Sequence, residues 1–195
     1  MNFIRRSIYI VAFSLLSLPA MAQTTVTPPE RNPAWATSVE TSINLFKVNE
    51  GFYRSAKLSK KDLQTLNSLG IKTIVNLRSF HSDKTLLENS GIQAVQVGIN
   101  TWSISDDNVV AALRAIRAAQ KDGPVLLHCW HGADRTGLVT AMYRMLYQDW
   151  SREQALEELL HGGYGYHAMW KNIPVYLKTV DIEKIRTAVN YPAPA

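Results

Sequence analysis

The sequence predicts an α/β domain in which helices flank a central, mainly parallel sheet. Short apolar runs alternate with amphipathic helical patterns along most of the chain. Three of these runs, at 71–77, 92–97 and 125–127, are rich in apolar residues and are predicted to be buried strands. A polar loop at 128–137 joins the last run to a helical pattern. Ligands bind at this kind of position in such sheets, beyond the carboxyl ends of the strands.

The first half of the domain predicts a hairpin, a helix and two strands. The hairpin consists of strands at 43–48 and 52–54 around the turn Asn49-Glu50-Gly51. Ser59 is a suitable N-cap for a helix over 60–69, and Gly70 follows as its C-terminal stop. The two strands are the apolar runs at 71–77 and 92–97, separated by a polar segment.

The second half predicts four helices and the strand that precedes the loop. Ser105 caps a helix whose apolar positions are helically spaced, and Gly123-Pro124 ends that helix before the strand at 125–127. Helical patterns then cover 135–148, 152–161 and 174–185. This order of elements predicts one domain over 43–190, followed by a tail at 191–195.

The N-terminal residues have the pattern of a secretory signal peptide. Arg5 and Arg6 precede an apolar stretch at 8–18, and Ala20-Met21-Ala22 forms an A-x-A cleavage site. We expect cleavage after Ala22 and a periplasmic product, with residues 23–42 as a tether and lead-in segment. An uncleaved membrane anchor is the alternative.

Charge and cysteine usage exclude several classes of protein. The formal net charge of +5 is mild and contains no dense basic run, so nucleic acid is not an expected partner. The single cysteine rules out an internal disulfide framework in an exported protein. We expect a monomer that meets the membrane only through its signal peptide.

The loop at 128–137 carries the residue types needed for phosphoryl transfer. A strand that leads into a helix directs backbone N–H groups and the positive end of the helix dipole at one point. This environment favours the thiolate form of Cys129, which is the nucleophilic form of the side chain. Arg135, five residues further on, offers a planar fork for two phosphoryl oxygens. Gly132 and Gly137 permit close backbone approach, and the Thr136 hydroxyl is placed to assist the sulfur as a leaving group.

This stretch resembles the C-x5-R-[S/T] signature of the dual-specificity phosphatases in the protein tyrosine phosphatase superfamily. The resemblance extends from about residue 32 to beyond 182, and it is greatest to periplasmic tyrosine phosphatases of Gram-negative bacteria. It implies the cysteine-phosphatase fold and hydrolysis of phosphotyrosine, sometimes also phosphoserine or phosphothreonine, through a phosphocysteine, without metal or cofactor. It also implies a catalytic role for Cys129 and Arg135 and a supporting role for His128 and Thr136. The phosphate-binding residues would be Trp130, His131, Gly132, Ala133, Asp134 and Arg135.

The general acid is the point at which the chain departs from the family pattern. The superfamily carries an aspartate on the loop before the helix that starts after Ser105, and that position falls near Trp102 here. Asp106 and Asp107 follow closely, although acidic residues in a first helical turn also serve the helix dipole. Asp134 matches the position at which myotubularin-type phosphatases carry an aspartate proposed as the acid, and its alternative role is to brace the loop. The candidates for the general acid are therefore Asp134, which is favoured, and Asp106 and Asp107.

Several further residues have two interpretations each. Trp102 and Trp130 are candidates for an aromatic wall beside a phenyl phosphate, while core packing is the alternative for Trp102. Arg78 either braces the site or forms a surface ion pair. The stretch 164–170, with His167, either borders the pocket or is a packed helix connection.

Three other functions remain open from the sequence. A phosphatase of inositol phosphates or other small phosphomonoesters would use the same loop. A pseudophosphatase would bind phosphoproteins without turnover, and the uncertain acid is its only support. A rhodanese-type sulfurtransferase also places a cysteine after a strand, but the full loop signature argues against it.

Overall fold

A six-stranded sheet in the order β1-β2-β3-β6-β4-β5 organises the protein. The computed structural model describes residues 31–191. The expected signal peptide, residues 23–30 of the expected tether and lead-in segment, and residues 192–195 of the expected tail lie outside these residues. Within 31–191, no helix combines the length and the apolar character needed to cross a bilayer.

The elements are short, and their bounds agree well with the sequence patterns. The strands are β1 Thr37–Glu40, β2 Leu45–Asn49, β3 Phe52–Ser55, β4 Thr73–Asn76, β5 Gln93–Gln96 and β6 Val125–His128. The helices are α1 Leu63–Ser68, α2 Lys84–Leu87, α3 Asp106–Ala119, α4 Asp134–Tyr147, α5 Arg152–His161, α6 Asn172–Thr179 and α7 Ile182–Asn190.

The direction of the strands explains where the loop lies. Strands β1, β2 and β3 pair antiparallel, as the hairpin pattern predicts. Strand β6 pairs parallel to both β3 and β4, and β4 pairs parallel to β5. Because β6 lies between β3 and β4, the residue after it, Cys129, leaves the middle of the carboxyl edge. The sheet is therefore mixed with mostly parallel strands, which confirms the predicted fold class.

Alternating side chains of the sheet supply two apolar cores. Val125 and Leu127 pack with residues of helices α3 to α7 on one face. Leu126 packs on the other face with Leu66 of α1 and Leu87 of α2. All four residues of β6 are buried, so the strand that carries Cys129 is fixed from both sides.

Helix starts follow the capping signals closely. Ser105 accepts a hydrogen bond from the Asn108 backbone N–H in a capping box, as predicted for the start of α3. Ser151 does the same for α5 through Gln154. At 60–69, a short 3₁₀ turn precedes α1, and Gly70 adopts φ +71° where the helix was expected to stop.

Four features of the chain differ from the sequence patterns. Helix α2 lies in the polar segment between the runs at 71–77 and 92–97, where no helix was expected. The run at 92–97 was expected to be a buried strand, but β5 is an edge strand and three of its four residues are exposed.

The single helix predicted over 174–185 is wrong: α6 ends at Thr179, and Asp181 caps a new helix by accepting from the Lys184 N–H. Strand β1 lies inside the segment expected to be a tether. All four of its residues are exposed, so it has no apolar alternation by which a strand could be recognised.

Candidate active site

Cys129 lies at the start of the loop that joins β6 to α4. Its side chain is buried, with an exposed fraction of 1%, and the residue is a free cysteine. Ala133 and Asp134 are also buried, while Trp130 and His131 are exposed. The loop therefore buries its sulfur and presents two of its ring-bearing side chains to solvent.

The hydrogen bonds of the loop hold its carbonyl groups away from its concave side. The carbonyl oxygens of six consecutive residues, from His128 to Ala133, each accept a hydrogen bond. None of the six donors is a backbone N–H of residues 129–133. The donors are Leu77 N, His128 Nδ1, Lys57 N, Asn44 Nδ2, Arg54 Nη2 and Gly137 N. Between residues 31 and 191, by contrast, the backbone N–H groups of 130–133 find no acceptor. Successive N–H groups left unpaired beside a helix N-terminus form an anion-binding cradle.

Arg135 is anchored by the ends of two strands. Its Nη1 donates to the carbonyl of Leu77 at 3.3 Å and to that of Ile99 at 3.2 Å. The same side chain lines a cavity beside the loop. Two fixed bonds on one nitrogen set the plane of the guanidinium, which suits a fork that must meet a phosphoryl group in one orientation.

His128 is held in a buried chain of polar groups. Its Nε2 is 2.6 Å from Oδ2 of Asp83, and its Nδ1 is 3.0 Å from the carbonyl of Cys129. The other oxygen of Asp83 accepts a bond from Arg78 Nη2 at 2.5 Å. His128 thus positions the Cys129 backbone, and Arg78 braces the site through Asp83 rather than through a surface ion pair.

A second buried network supports the far side of the loop. Arg54 of β3 donates to the Gly132 carbonyl at 2.8 Å, and its guanidinium lies 3.6 Å from the centre of the Tyr164 ring. Burial lowers the pKa of Arg54. The Tyr164 hydroxyl donates to Glu158, which forms a paired salt bridge with Arg144.

The charge of this network is balanced by Glu158. Burial acts to raise the pKa of its carboxyl, but the hydrogen bonds and charge of Arg144 outweigh burial, so that the pKa lies below its usual value. Burial also raises the pKa of Tyr164 to about 12. The network therefore joins an ionised carboxylate, a neutral phenol and two arginines behind the loop.

An aromatic cavity of about 180 Å³ opens beside Arg135. Trp102 is 66% exposed and Trp130 is 36% exposed, so Trp102 is at the rim and is not a core residue. Lys57 Nζ lies 4.5 Å from the Trp130 ring centre. The cavity is lined by Arg78, Ser79, Phe80, His81, Asn100, Trp102, Trp130 and Arg135.

Asp134 is engaged by the segment between α5 and α6. Its Oδ1 accepts from the His167 backbone N–H at 2.9 Å, and its Oδ2 is 2.9 Å from the His167 Nδ1. Both oxygens are engaged by His167 in this arrangement, whereas a general acid must direct a proton at the leaving oxygen. The geometry favours the bracing role, and the stretch at 164–170 borders the loop.

Asp106 and Asp107 line a different cavity, together with Lys184 and residues of α7. Asp106 accepts from Lys184 Nζ at 2.7 Å and from the Tyr176 hydroxyl at 3.0 Å. The bond from Lys184 holds the pKa of Asp106 below its usual value. The structure does not bring either residue to the cavity beside Arg135, so neither is placed to protonate a leaving group there.

The Thr136 hydroxyl is buried and makes no hydrogen bond to any residue of the described part of the chain. The bond to sulfur that the sequence suggests is therefore not formed in this structure. Its assistance to a departing sulfur stays a prediction.

We expect Asp106→Asn to leave kcat within about twofold, because the side chain serves helix α3. Its pKa is lowered by folding, so its stabilisation is present above the unfolded pKa of about 3.9 and is lost as the pH falls below it. Because the ion pair with Lys184 is exposed to solvent, its contribution to the free energy of unfolding is small. Urea unfolding should give a lower free energy of unfolding for Asp106→Asn than for wild type near neutral pH, and no difference in acid.

Asp134→Asn provides the comparison, since Asp134 lies at the loop. A residue that braces the loop supports it whichever substrate is bound. We therefore expect the hydrolysis of aryl phosphates with good and with poor leaving groups to slow by the same factor. A general acid would instead be revealed by a much greater loss with the poor leaving group and by a flattened alkaline limb of the pH–rate profile.

Sequence reasoning missed Asp83 and the role of Arg54. Asp83 lies in a polar segment without periodicity, where one aspartate is indistinguishable from its solvated neighbours. Arg54 gave a usable signal, because a charged residue stands within an otherwise apolar strand. Such a residue is retained in a core only where it is paired.

The chain is similar to known phosphatases. Residues 41–166 match the tyrosine phosphatase family. The chain is 36% identical over 175 residues to dual specificity protein phosphatase TpbA of Pseudomonas aeruginosa strain UCBPP-PA14, which covers 90% of this chain and 79% of that protein. It is 32% identical over 127 residues to inositol diphosphatase DSP2 of Oryza sativa subsp. japonica, which covers 61% of each.

Structural similarity agrees with the sequence matches. A crystal structure of a Cys-to-Ser variant of Pseudomonas aeruginosa TpbA in complex with phosphotyrosine superposes with a TM-score of 0.77 at 35% identity. The match covers 83% of this chain and 99% of that one. The expected cysteine-phosphatase fold is confirmed. The chain belongs to the tyrosine phosphatase family.

Proposed function

We propose that this protein hydrolyses phosphotyrosine in proteins, and to a lesser extent phosphoserine and phosphothreonine, through a phosphocysteine at Cys129. The observation that carries the proposal is the loop itself. Its carbonyls are bonded outward and its N–H groups at 130–133 are unpaired directly after the cysteine. The phosphatases to which the chain is similar support the same reaction class.

The reaction has two steps. The Cys129 thiolate attacks phosphorus, the bond between phosphorus and the phenolic oxygen breaks, and the leaving oxygen takes up a proton from solvent. Water then attacks the phosphocysteine and gives a proton back to solvent, the sulfur–phosphorus bond breaks, inorganic phosphate leaves and the thiolate returns. Arg135 and the loop N–H groups stabilise the charge on the equatorial oxygens in both steps.

The aromatic cavity supports an aryl phosphate as the preferred substrate. Phe80, Trp102 and Trp130 line it beside Arg135, and Phe80 is 83% exposed. Flat aromatic walls bind a phenyl ring by offset or edge contacts. An aliphatic phosphoserine would leave most of this surface without contact.

The test compares four substrates with the purified protein. We expect a phosphotyrosine peptide to show the highest kcat/KM, above matched phosphoserine and phosphothreonine peptides and an inositol pyrophosphate. Acid-quenched samples should contain a phosphate adduct on Cys129 by mass spectrometry. A higher kcat/KM on the inositol pyrophosphate would overturn the substrate class, and tight binding without turnover would indicate a pseudophosphatase.

Trp102→Ala tests the role of the aromatic wall. We expect KM for the phosphotyrosine peptide to rise about fivefold to tenfold, because one aromatic contact contributes about 1 kcal/mol. The kcat should change little, since Trp102 takes no part in the hydrogen bonds of the loop. The phosphoserine peptide is the matched control, and an equal rise in its KM would argue against recognition of the ring.

We also propose that the protein is exported to the periplasm after cleavage behind Ala22. The charged Arg5-Arg6 pair, the apolar stretch at 8–18 and the Ala20-Met21-Ala22 triplet support this location. N-terminal sequencing of the protein from a periplasmic fraction should begin at Gln23. A protein that retains Met1 and sediments with membranes would be an anchored form.

A further inference from the structure

Three possible metal ligands meet at the rim of the loop. His131 and Asp134 belong to the loop and to the first turn of α4, and His167 belongs to the segment between α5 and α6. The ligating atoms of the three side chains all lie within 4.8 Å of one another. The His131 and His167 rings are 4.9 Å apart between centres.

We propose that His131, Asp134 and His167 form an inhibitory site for a divalent transition-metal ion, with Zn²⁺ as the best match. Two imidazole nitrogens and one carboxylate oxygen are ligands that zinc accepts readily. Three protein ligands leave a fourth tetrahedral position for water. The binding of the ion stands on this geometry, whereas its inhibitory effect rests on the proposed phosphatase function.

The distances require only a small adjustment. Zinc bonds of about 2.0–2.2 Å place tetrahedral ligand atoms roughly 3.3 Å apart. The His167 Nδ1 and Asp134 Oδ2 are already 2.9 Å apart. His131 is exposed, so rotation of its side chain is free to bring the third ligand closer.

The backbone around the cluster is already ordered. The Asp134 carboxylate is 8% exposed, and the His167 N–H fixes one of its oxygens. Asn44 Nδ2 donates to the carbonyls of both His131 and Tyr164 at 2.9 Å. This one amide therefore ties together the two segments that carry the ligands, which is the outer support that metal sites need.

Occupancy of the site explains inhibition in a simple way. Two of the three ligands belong to the loop that holds the substrate phosphate. An ion that binds both and also binds His167 fixes the phosphate-binding loop in one arrangement. The Cys129 thiolate is the competing target for zinc, since it is a soft ligand.

The binding experiment removes that competitor. In the Cys129→Ser protein, Zn²⁺ titration by calorimetry should show one site, and Co²⁺ should give the absorption bands of a tetrahedral complex. Adding His167→Gln, at a side chain that is 41% exposed, should weaken Zn²⁺ binding by at least about 30-fold. His161→Gln is the matched control, because His161 is exposed at the end of α5 and lies outside the cluster.

The activity experiment compares each protein with its own rate in the presence of a chelator. Wild type should be inhibited by Zn²⁺, and His167→Gln should need at least about 30-fold more metal for equal inhibition. Equal inhibition of both proteins would assign the effect to Cys129 and overturn the proposal. The same holds if Cys129→Ser binds no metal or if His161→Gln weakens binding as much as His167→Gln.

Failure of the proposed function leaves a different result. A protein that has no phosphatase activity but binds one Zn²⁺ through His167 in the Cys129→Ser background would retain the metal site and refute the phosphatase. The two proposals are therefore separable within one set of proteins.

Discussion

Cys129→Ser is expected to lower kcat by about 10⁴-fold or more while binding of phosphotyrosine is retained. The serine hydroxyl has nearly the same size but is not ionised near neutral pH, so the nucleophile is lost and the cradle of N–H groups remains. Removal of a catalytic nucleophile typically costs this much in kcat. The measurement is hydrolysis of p-nitrophenyl phosphate together with calorimetric binding of phosphotyrosine.

The fold provides the control for this substitution. Cys129 packs within the apolar core between the sheet and the helices, and an isosteric change there should alter the thermal unfolding midpoint little. Arg135→Lys in the Cys129→Ser background should then weaken phosphotyrosine binding, because lysine lacks the bidentate fork. If Cys129→Ser retained more than about a hundredth of the wild-type kcat with its fold intact, another nucleophile would be responsible.

Gly132→Ala is expected to lower kcat/KM by about 100-fold or more and to cost roughly 2–4 kcal/mol in the free energy of unfolding. A Cβ at this position would lie 2.5 Å from the carbonyl carbon and oxygen of Ser55 and 2.6 Å from the Ala56 nitrogen. These are backbone atoms and cannot rotate away. Gly132 also has φ +71°, and its displacement would break the bond from the buried Arg54 to its carbonyl.

Gly163→Ala separates the two causes of this effect. Gly163 has φ +79°, and a Cβ there would meet nothing within 4 Å. We expect it to cost only about 1–2 kcal/mol, for the left-handed backbone alone, and to leave kcat unchanged. Urea unfolding and kcat/KM of both variants decide the question. Equal losses in the two proteins would show that close approach to Ser55 is not what makes Gly132 necessary.

The local signals of the sequence predicted much of the fold. Ser105 caps helix α3 as predicted, and the apolar runs at 71–77, 92–97 and 125–127 contain β4, β5 and β6. Capping and apolar periodicity are properties of neighbouring residues, so they are readable before the chain is folded. The failure over 174–185 has the same origin, since a break at Val180 and Asp181 leaves the apolar spacing nearly helical.

The contacts of the candidate residues could not be predicted in the same way. Asp83 reaches His128 across 45 positions in the sequence, and His167 reaches Asp134 across 33. Nothing local distinguishes these residues from solvated ones. Asp106 shows the opposite relation between sequence and structure. It lies close to the expected acid position along the chain, but in the folded protein its side chain is bound by Lys184 of α7.

The sequence by itself determined the chemistry of the loop: a cysteine, an arginine and two glycines at fixed spacing between a buried strand and a helix. Spacing of that kind is a local property of the backbone, and it survives any arrangement of the remaining elements. Only the tertiary structure decided which groups surround the loop. Arg54, Asp83 and His167 contact it because β3 and β4 flank β6 and because the segment after α5 packs against α4. Burial and hydrogen bonding between distant parts of the chain decide which groups surround the loop, and no short sequence pattern encodes these contacts.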